Sequence, residues 1–252
     1  MSSVHFIDAP MVPEPPADRT RRSAKDLLSP SARAYVILKA VLDFTAALTL
    51  LILTAPLILL AMLLVKLTSP GPALYSQTRL GRHGQPFVIF KIRTMANNSE
   101  SLTGPRWCAP GDTRVTTIGR WLRRTHVDEL PQLWNVLRGD MSLIGPRPER
   151  PEFAPRLEQV IPHYRKRLQI RPGVTGLAQV QLPADTDLDS VRIKTAYDLL
   201  YIRRMGLWLD ARIAWATLFK LAGASFAGLQ AMFRFPARAT VEKHYGMIAD
   251  DR

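Results

Sequence analysis

Cysteine is almost absent: Cys108 stands alone among 252 residues, so no disulfide forms within the chain and a disulfide scaffold is excluded. Acidic residues are also scarce, 21 against 34 Lys and Arg, which leaves a formal net charge of +13. Such a surplus calls for a polyanionic neighbour: nucleic acid, an anionic membrane surface or phosphorylated substrates. Aromatic residues are only 8% of the chain and one long apolar run stands out, which excludes a polytopic transporter. At 47% hydrophobic the chain is not a disordered polybasic tail either. Walker-A, GxGxxG and Cys/His zinc patterns are all missing, and no serine sits in a nucleophile-elbow context. His5, His83, His126, His163 and His244 lack metal-ligand spacing, and only His126, close to a pair of acids, is of chemical interest. The length fits one domain, or at most two.

What is present begins with Phe44–Val65, 22 residues without a charge. As a straight helix this run would cover roughly 33 Å, enough to cross a hydrocarbon core. Pro56 divides it into 12 residues before and 10 from the proline onward, so a sharp bend at Ala55-Pro56 is expected. Six basic residues precede position 40 and the other 28 follow position 65. A single span would leave one basic flank outside, whereas a re-entrant helix keeps both inside. Four acids, Asp8, Glu14, Asp18 and Asp26, offset the first flank, so charge alone does not decide the topology. Lys39 and Asp43, at the mouth of the run, can meet on one helix face as interfacial anchors or as catalytic groups.

Residues 1–34 are Pro-, Ser- and Arg-rich and read as a tail, followed by the membrane helix over 35–68, a catalytic domain over 69–222 and an interfacial helix with a tail over 223–252. Ala73–Gln77 and Phe87–Ile92 are predicted strands of a hairpin joined by a loop with Gly81 and Gly84. Ser99–Asp112 is a predicted loop, and helices dominate from Thr116. A second apolar stretch, Ile213–Phe233, is interrupted by Lys220 and loosened by Gly223 and Gly228, so a helix lying in the interface is expected there. The fold class is α+β and mostly helical, with a re-entrant, proline-broken membrane helix, a small β-hairpin and amphipathic interfacial helices.

The densest group of reactive residues is Arg123-Arg124-Thr125-His126-Val127-Asp128-Glu129-Leu130-Pro131-Gln132. One reading is structural: Thr125 or Asp128 caps a helix whose first turn includes Pro131. The other is chemical. Arg147, between Pro146 and Pro148, can present a guanidinium to phosphate; Lys91 and Arg93 at the end of the second strand, with Arg124, add positive charge. A hard cation such as Mg²⁺, held by one carboxylate and substrate phosphates, would let the other carboxylate approach a diphosphate as a nucleophile.

The blocks KAVLDFTAALTLLILTAPLILL, SPGPALYSQTRLGRHGQPFVIFKIRTM, DTRVTTIGRWLRRTHVDELPQLWNVLRGDMSLIGPRPE, RPGVTGLAQV and YDLLYIRRMGLWLDARIAWATL, in that order, resemble the bacterial sugar transferases, the monotopic phosphoglycosyl transferases. The likeness covers roughly Lys39 to Leu218. It implies transfer of a sugar-1-phosphate from a UDP-sugar to undecaprenyl phosphate, with release of UMP, as the first membrane step of exopolysaccharide, O-antigen or glycoconjugate synthesis. It further implies Asp128 as nucleophile forming a covalent phosphosugar intermediate, and Glu129 as the residue that binds Mg²⁺, with Asp128, or positions the lipid phosphate. Lys91, Arg147 and Asp198 match further functional positions. The implied location is the bacterial inner membrane with the catalytic domain on the cytoplasmic face; lipid is a partner, a homodimer is compatible with the likeness, and nucleic acid is not expected. Many members carry Ser before the proline where this chain has Ala55, and such a hydroxyl helps a bend by bonding back to the helix. The competing classes are a non-catalytic membrane scaffold with a basic surface, a nucleic-acid-binding protein, and a nucleotide-sugar hydrolase. The family motifs concern phosphate chemistry and leave galactose, glucose and N-acetylated aminosugars open.

Overall fold

The computed structural model describes residues 30–99, 111–185 and 187–245. The expected tail over residues 1–29, Cys108 and most of the Ser99–Asp112 loop lie outside these residues. Helix α1 runs from Pro30 to Thr68 as one element of 39 residues with Pro56 inside it. It begins within the segment expected to be tail, with proline in the first turn, where a missing N–H is tolerated.

Positions 39, 43, 47, 51, 54, 58, 61 and 65 of α1 recur every three or four residues and are its covered face. Ala47 packs with Ile89, Leu133 and Val136, and Ile58, Ala61 and Val65 with Ile92, Leu122 and Val127. The remaining faces expose Ile37, Ile52, Leu53, Leu59, Leu63 and Leu67. Among the described residues α1 is the one helix long and apolar enough to cross a membrane.

Lys39 and Asp43 are buried rather than at a surface. Lys39 Nζ donates to Asp210 at 2.6 Å and lies 3.5 Å from Asp43. Asp43 in turn accepts from Ser142 Oγ at 2.7 Å and from the Leu143 N–H at 3.2 Å. Tyr35 and Tyr201 both donate to Asp210, at 2.9 and 2.7 Å. The sequence offered anchoring or catalysis for this pair; the structure makes it a buried polar pin between α1 and the globular part. Breaking one partner of such a pair leaves an uncompensated buried charge. Lys39→Met is therefore expected to destabilise the protein by about 3 kcal/mol, read as a lowered thermal midpoint in detergent; an unchanged midpoint would contradict the pin.

Strands β1 (Leu74–Leu80) and β2 (Pro86–Ile92) form the antiparallel hairpin, with Leu74 opposite Ile92 and Leu80 opposite Pro86. β1 starts one residue later than expected and ends three later, because polar Thr78 and Arg79 keep pairing with β2. Then come α2 (Thr117–Thr125), a one-turn 3₁₀ helix at Val127–Glu129 and α3 (Gln132–Leu137). Strand β3 (Ser142–Ile144) pairs in parallel with β4 (Gly173–Thr175). Helices α4 (Ala154–Val160) and α5 (Leu177–Gln181) flank β4 in the chain. The largest core cluster lies around α6 (Leu188–Arg204), which buries Tyr197, Leu199, Tyr201 and Ile202. Its N-terminus carries a capping box between Asp187 and Ser190.

The expected apolar element over Ile213–Phe233 is two helices, α7 (Leu207–Leu221) and α8 (Phe226–Met232). The chain turns between them at Gly223, whose φ of +93° suits glycine. Helix α9 (Arg238–His244) closes the described chain against α6.

The Gly145-Pro-Arg-Pro and Arg-Pro-Gly173 blocks interlock through backbone alone. Gly145 N–H donates to the Thr175 carbonyl at 2.9 Å and Gly173 N–H to the Pro146 carbonyl at 2.8 Å. A Cβ on Gly173 would lie 2.1 Å from the Gly145 nitrogen, so no side chain fits there. Gly173→Ala is expected to separate β3 from β4, lower the thermal midpoint and displace Arg147; a variant that melts like the parent would refute this account.

Candidate active site

Around the interlocked blocks and the hairpin lies a cavity of about 870 Å³, lined by Lys91, Asp128, Glu129 and Arg147 among others, within the range of ligand pockets. Three chain segments distant in sequence deliver these groups. β2 ends in Lys91. His126 caps the C-terminus of α2 in the left-handed conformation, with φ 56°, and turns the chain into the 3₁₀ segment. Val127 is packed into the core, and this orients the two acids that follow it.

Neither Thr125 nor Asp128 caps a helix. Thr125 is the last residue of α2 and its hydroxyl donates back to the Trp121 carbonyl at 3.0 Å. Asp128 is 7% exposed, and its Oδ1 has no hydrogen-bond partner among the described residues. Burial, reinforced by the neighbouring Glu129 charge and opposed by Lys91, Arg123 and Arg147, pushes its pKa up to about 6. Glu129 is the opposite case. Its Oε1 accepts from Lys91 Nζ at 2.8 Å and from Arg147 at 2.7 Å, and its Oε2 accepts from Arg147 at 3.4 Å. Burial alone would raise Glu129, but Arg147 and Lys91 outweigh it and hold the carboxyl well below its ordinary range. Adjacent carboxylates with pKa values driven apart are a mark of divided acid–base or nucleophilic roles.

The other sequence-derived residues fall into distinct places. Arg93 is buried and clamps the turn after α1, donating to the carbonyls of Pro72, Pro70 and Ser69 at 2.6, 2.7 and 3.0 Å. Asp198, 2% exposed, is held by Arg167 at 2.6 Å, and Arg167 also donates to the Arg147 carbonyl at 3.0 Å. Asp198 thus reaches the dyad through Arg167 and the backbone of Arg147. Arg124 is exposed on α2 and does not line the cavity; Arg123 does, and donates to Thr94 Oγ1 at 2.8 Å. Ala55 and Pro56 lie on α1, outside the cavity wall. Sequence reasoning missed Arg167, Asp185, Lys194 and Gln179. Only Lys194 gave a signal, its four-residue spacing from Asp198 on one helix.

As for a metal, the described residues contain no group of three His, Cys, Asp or Glu that could hold one. The unpartnered Asp128 Oδ1 suits a hard cation that arrives on a substrate diphosphate, since Mg²⁺ is commonly held by one or two carboxylates and substrate phosphates. Both Glu129 oxygens already accept from cations.

Comparison with known proteins places the chain in a family. A UDP-glucose:undecaprenyl-phosphate glucose-1-phosphate transferase of Caulobacter vibrioides is 50% identical over 71% of this chain and 68% of its own length. A UDP-N-acetylgalactosamine-undecaprenyl-phosphate N-acetylgalactosaminephosphotransferase of Aeromonas hydrophila is 44% identical over 73% of this chain, which matches only 43% of that relative. An exopolysaccharide production protein of Rhizobium leguminosarum is 39% identical over 73% of this chain and 94% of its own. The family profile described as bacterial sugar transferase matches residues 34–224, and the chain belongs to that family.

Proposed function

We propose that this protein transfers a sugar-1-phosphate from a UDP-sugar to undecaprenyl phosphate, with Asp128 as nucleophile. The observation that carries the reading is the dyad: a buried carboxylate with one unpartnered oxygen beside a carboxylate locked by two cations, in a ligand-sized cavity. Lys91 and Arg147 sit where a diphosphate would gain charge-assisted hydrogen bonds. An Asp128 oxygen attacks the β-phosphorus, the bond to the bridging oxygen breaks, and UMP departs with that oxygen and its electron pair. The phosphate oxygen of the polyprenyl acceptor then attacks the same phosphorus and the Asp128 carboxylate leaves unchanged. Glu129 positions Lys91 and Arg147, and Asp198 supports Arg147 through Arg167. Mg²⁺ would be held by Asp128 and the donor phosphates, and it supplies neutralisation of the diphosphate charge.

The lipid acceptor gives the apolar surface its purpose. α1 has one face on the globular part from Tyr35 to Val65, so it is not free to cross a bilayer as an isolated rod. A re-entrant insertion keeps both ends on the cytoplasmic side of the inner membrane. Thr54 Oγ1 donates to the Leu50 carbonyl at 2.7 Å and so supplies, one residue early, the bend-favouring hydroxyl that Ala55 lacks. On α7, Leu207, Trp208, Trp215 and Leu218 form an exposed apolar stripe suited to the interface. Single cysteines at Ala34 and Lys66 in a Cys108→Ser background are expected to resist an impermeant maleimide applied to the periplasmic side; labelling of either one from that side would rule out re-entry.

The reaction is tested by UMP release from detergent-purified protein with Mg²⁺, undecaprenyl phosphate and a panel of UDP-sugars. Release that depends on the lipid acceptor is expected with at least one donor. Release at the same rate without acceptor would identify a hydrolase instead, and no release from folded protein would reject the reading.

A further inference from the structure

Part of the cavity wall is built by α5, the loop after it and α6, and it carries an acid–base pair that the chemistry above does not use. Asp185 Oδ1 lies 2.8 Å from Lys194 Nζ, with side chains 19% and 10% exposed, and both line the cavity. Lys194 stands one turn before Asp198 on α6, on the same face. Asp198 is held by Arg167 and is not free to meet a ligand; Lys194 has a partner on a loop and projects to the same cavity. Gln179, on this wall, donates through Nε2 to the Val174 carbonyl at 2.8 Å while its Oε1 is buried without a partner among the described residues. Asp185 and Lys194 line the same cavity as Arg147, and the Asp185 charge adds to the field that keeps the Arg147 guanidinium protonated.

We infer that Asp185 and Lys194 read a vicinal diol of the donor. The inference rests on the proposed UDP-sugar reading. A carboxylate acceptor and an ammonium donor 2.8 Å apart match two adjacent hydroxyls, one donating and one accepting. Hydroxyl recognition by such buried polar groups discriminates strongly, because an analogue lacking the hydroxyl leaves them unpaired. In a nucleotide sugar both rings adjoin the diphosphate, so the diol is that of the hexose or that of the ribose. On a hexose linked through C1 and closed through C5, every vicinal hydroxyl pair of the ring includes C2 or C4.

The test measures equilibrium dissociation constants of the full-length protein in detergent for UDP-glucose, UDP-galactose (altered at C4), UDP-N-acetylglucosamine (altered at C2) and 2′-deoxy-UDP-glucose. The variants are Asp185→Asn and the double variant Asp185→Asn, Lys194→Gln, which leaves no buried charge unpaired; thermal midpoints verify folding. If the hexose is read, the parent's preference among the three sugars falls by about tenfold or more in the variants while its preference for the 2′-hydroxyl persists. If the ribose is read, the 2′-hydroxyl preference falls and the sugar preference persists. Preferences intact in folded variants, a parent without either preference, or one uniform loss for all four donors would overturn the assignment and leave the transferase reading standing. A parent that binds no nucleotide sugar would overturn both, and binding with diol discrimination but no UMP release would overturn the transferase reading alone.

Discussion

Asp128→Asn is expected to abolish lipid-dependent UMP release, by a factor on the order of 10⁴ or more, and at the same time to raise the stability of the fold above pH 6. The two effects have one origin. The folded environment pushes the Asp128 carboxyl from 3.8 to about 6, so between these values the folded state binds more proton than the unfolded chain. Stability falls as pH rises through that window, and the deficit is complete once Asp128 ionises in the folded protein. A shift of about two pKa units corresponds to roughly 3 kcal/mol, and at 7% exposure solvent screening removes little of it. Asparagine carries no charge and escapes the deficit. The variant should therefore melt above the parent at pH 8 and close to it at pH 4. Equal midpoints at pH 8 would mean that Asp128 is not held ionised at a cost, and retained UMP release would exclude it as the nucleophile.

The parts of the molecule that local pattern determines are legible in the sequence. The uncharged run of α1, the hairpin, the acid pair and Arg147 between two prolines are signals carried by neighbouring residues, and the structure has them close to where they were expected. What stayed hidden depends on partners far away in the chain. Lys39 and Asp43 read as ordinary helix-end charges because Asp210 and Ser142, which bury them, lie 171 and 99 residues away. Arg93 lines the cavity, but its clamp on the carbonyls of residues 69–72 stayed hidden because main-chain acceptors have no side-chain signature. Arg123 and Arg124 differ by one position, and only the phase of α2 against the hairpin turns the first toward the cavity. Capping was a fair reading of Thr125 and Asp128 until the left-handed turn at His126 separated α2 from the 3₁₀ segment.

Glu129→Gln is the substitution that separates the two groups able to set an acidic limb in the pH profile. The parent's kcat/KM should rise with pH through about 6, because only the ionised carboxylate attacks phosphorus. Asp198, however, is also raised by burial to about 6, and a limb at that pH does not by itself name its origin. The neighbours differ. Asp128 is pushed up by burial and then by Glu129, with Lys91, Arg123 and Arg147 pulling it down; Asp198 responds to burial and to Arg167, Asp185 and Lys194. Removing the Glu129 charge withdraws the repulsion on Asp128 and frees the attraction of Lys91 and Arg147, so the Asp128 limb must move to lower pH while an Asp198 limb stays near 6. The plateau should fall as well, by about 10²-fold, since the less basic carboxylate is a weaker nucleophile and two cations lose the anion that positions them. A limb that stays near 6 in Glu129→Gln would assign the titration to the Arg167–Asp198 pair and remove Asp128 ionisation as the gate on the first step.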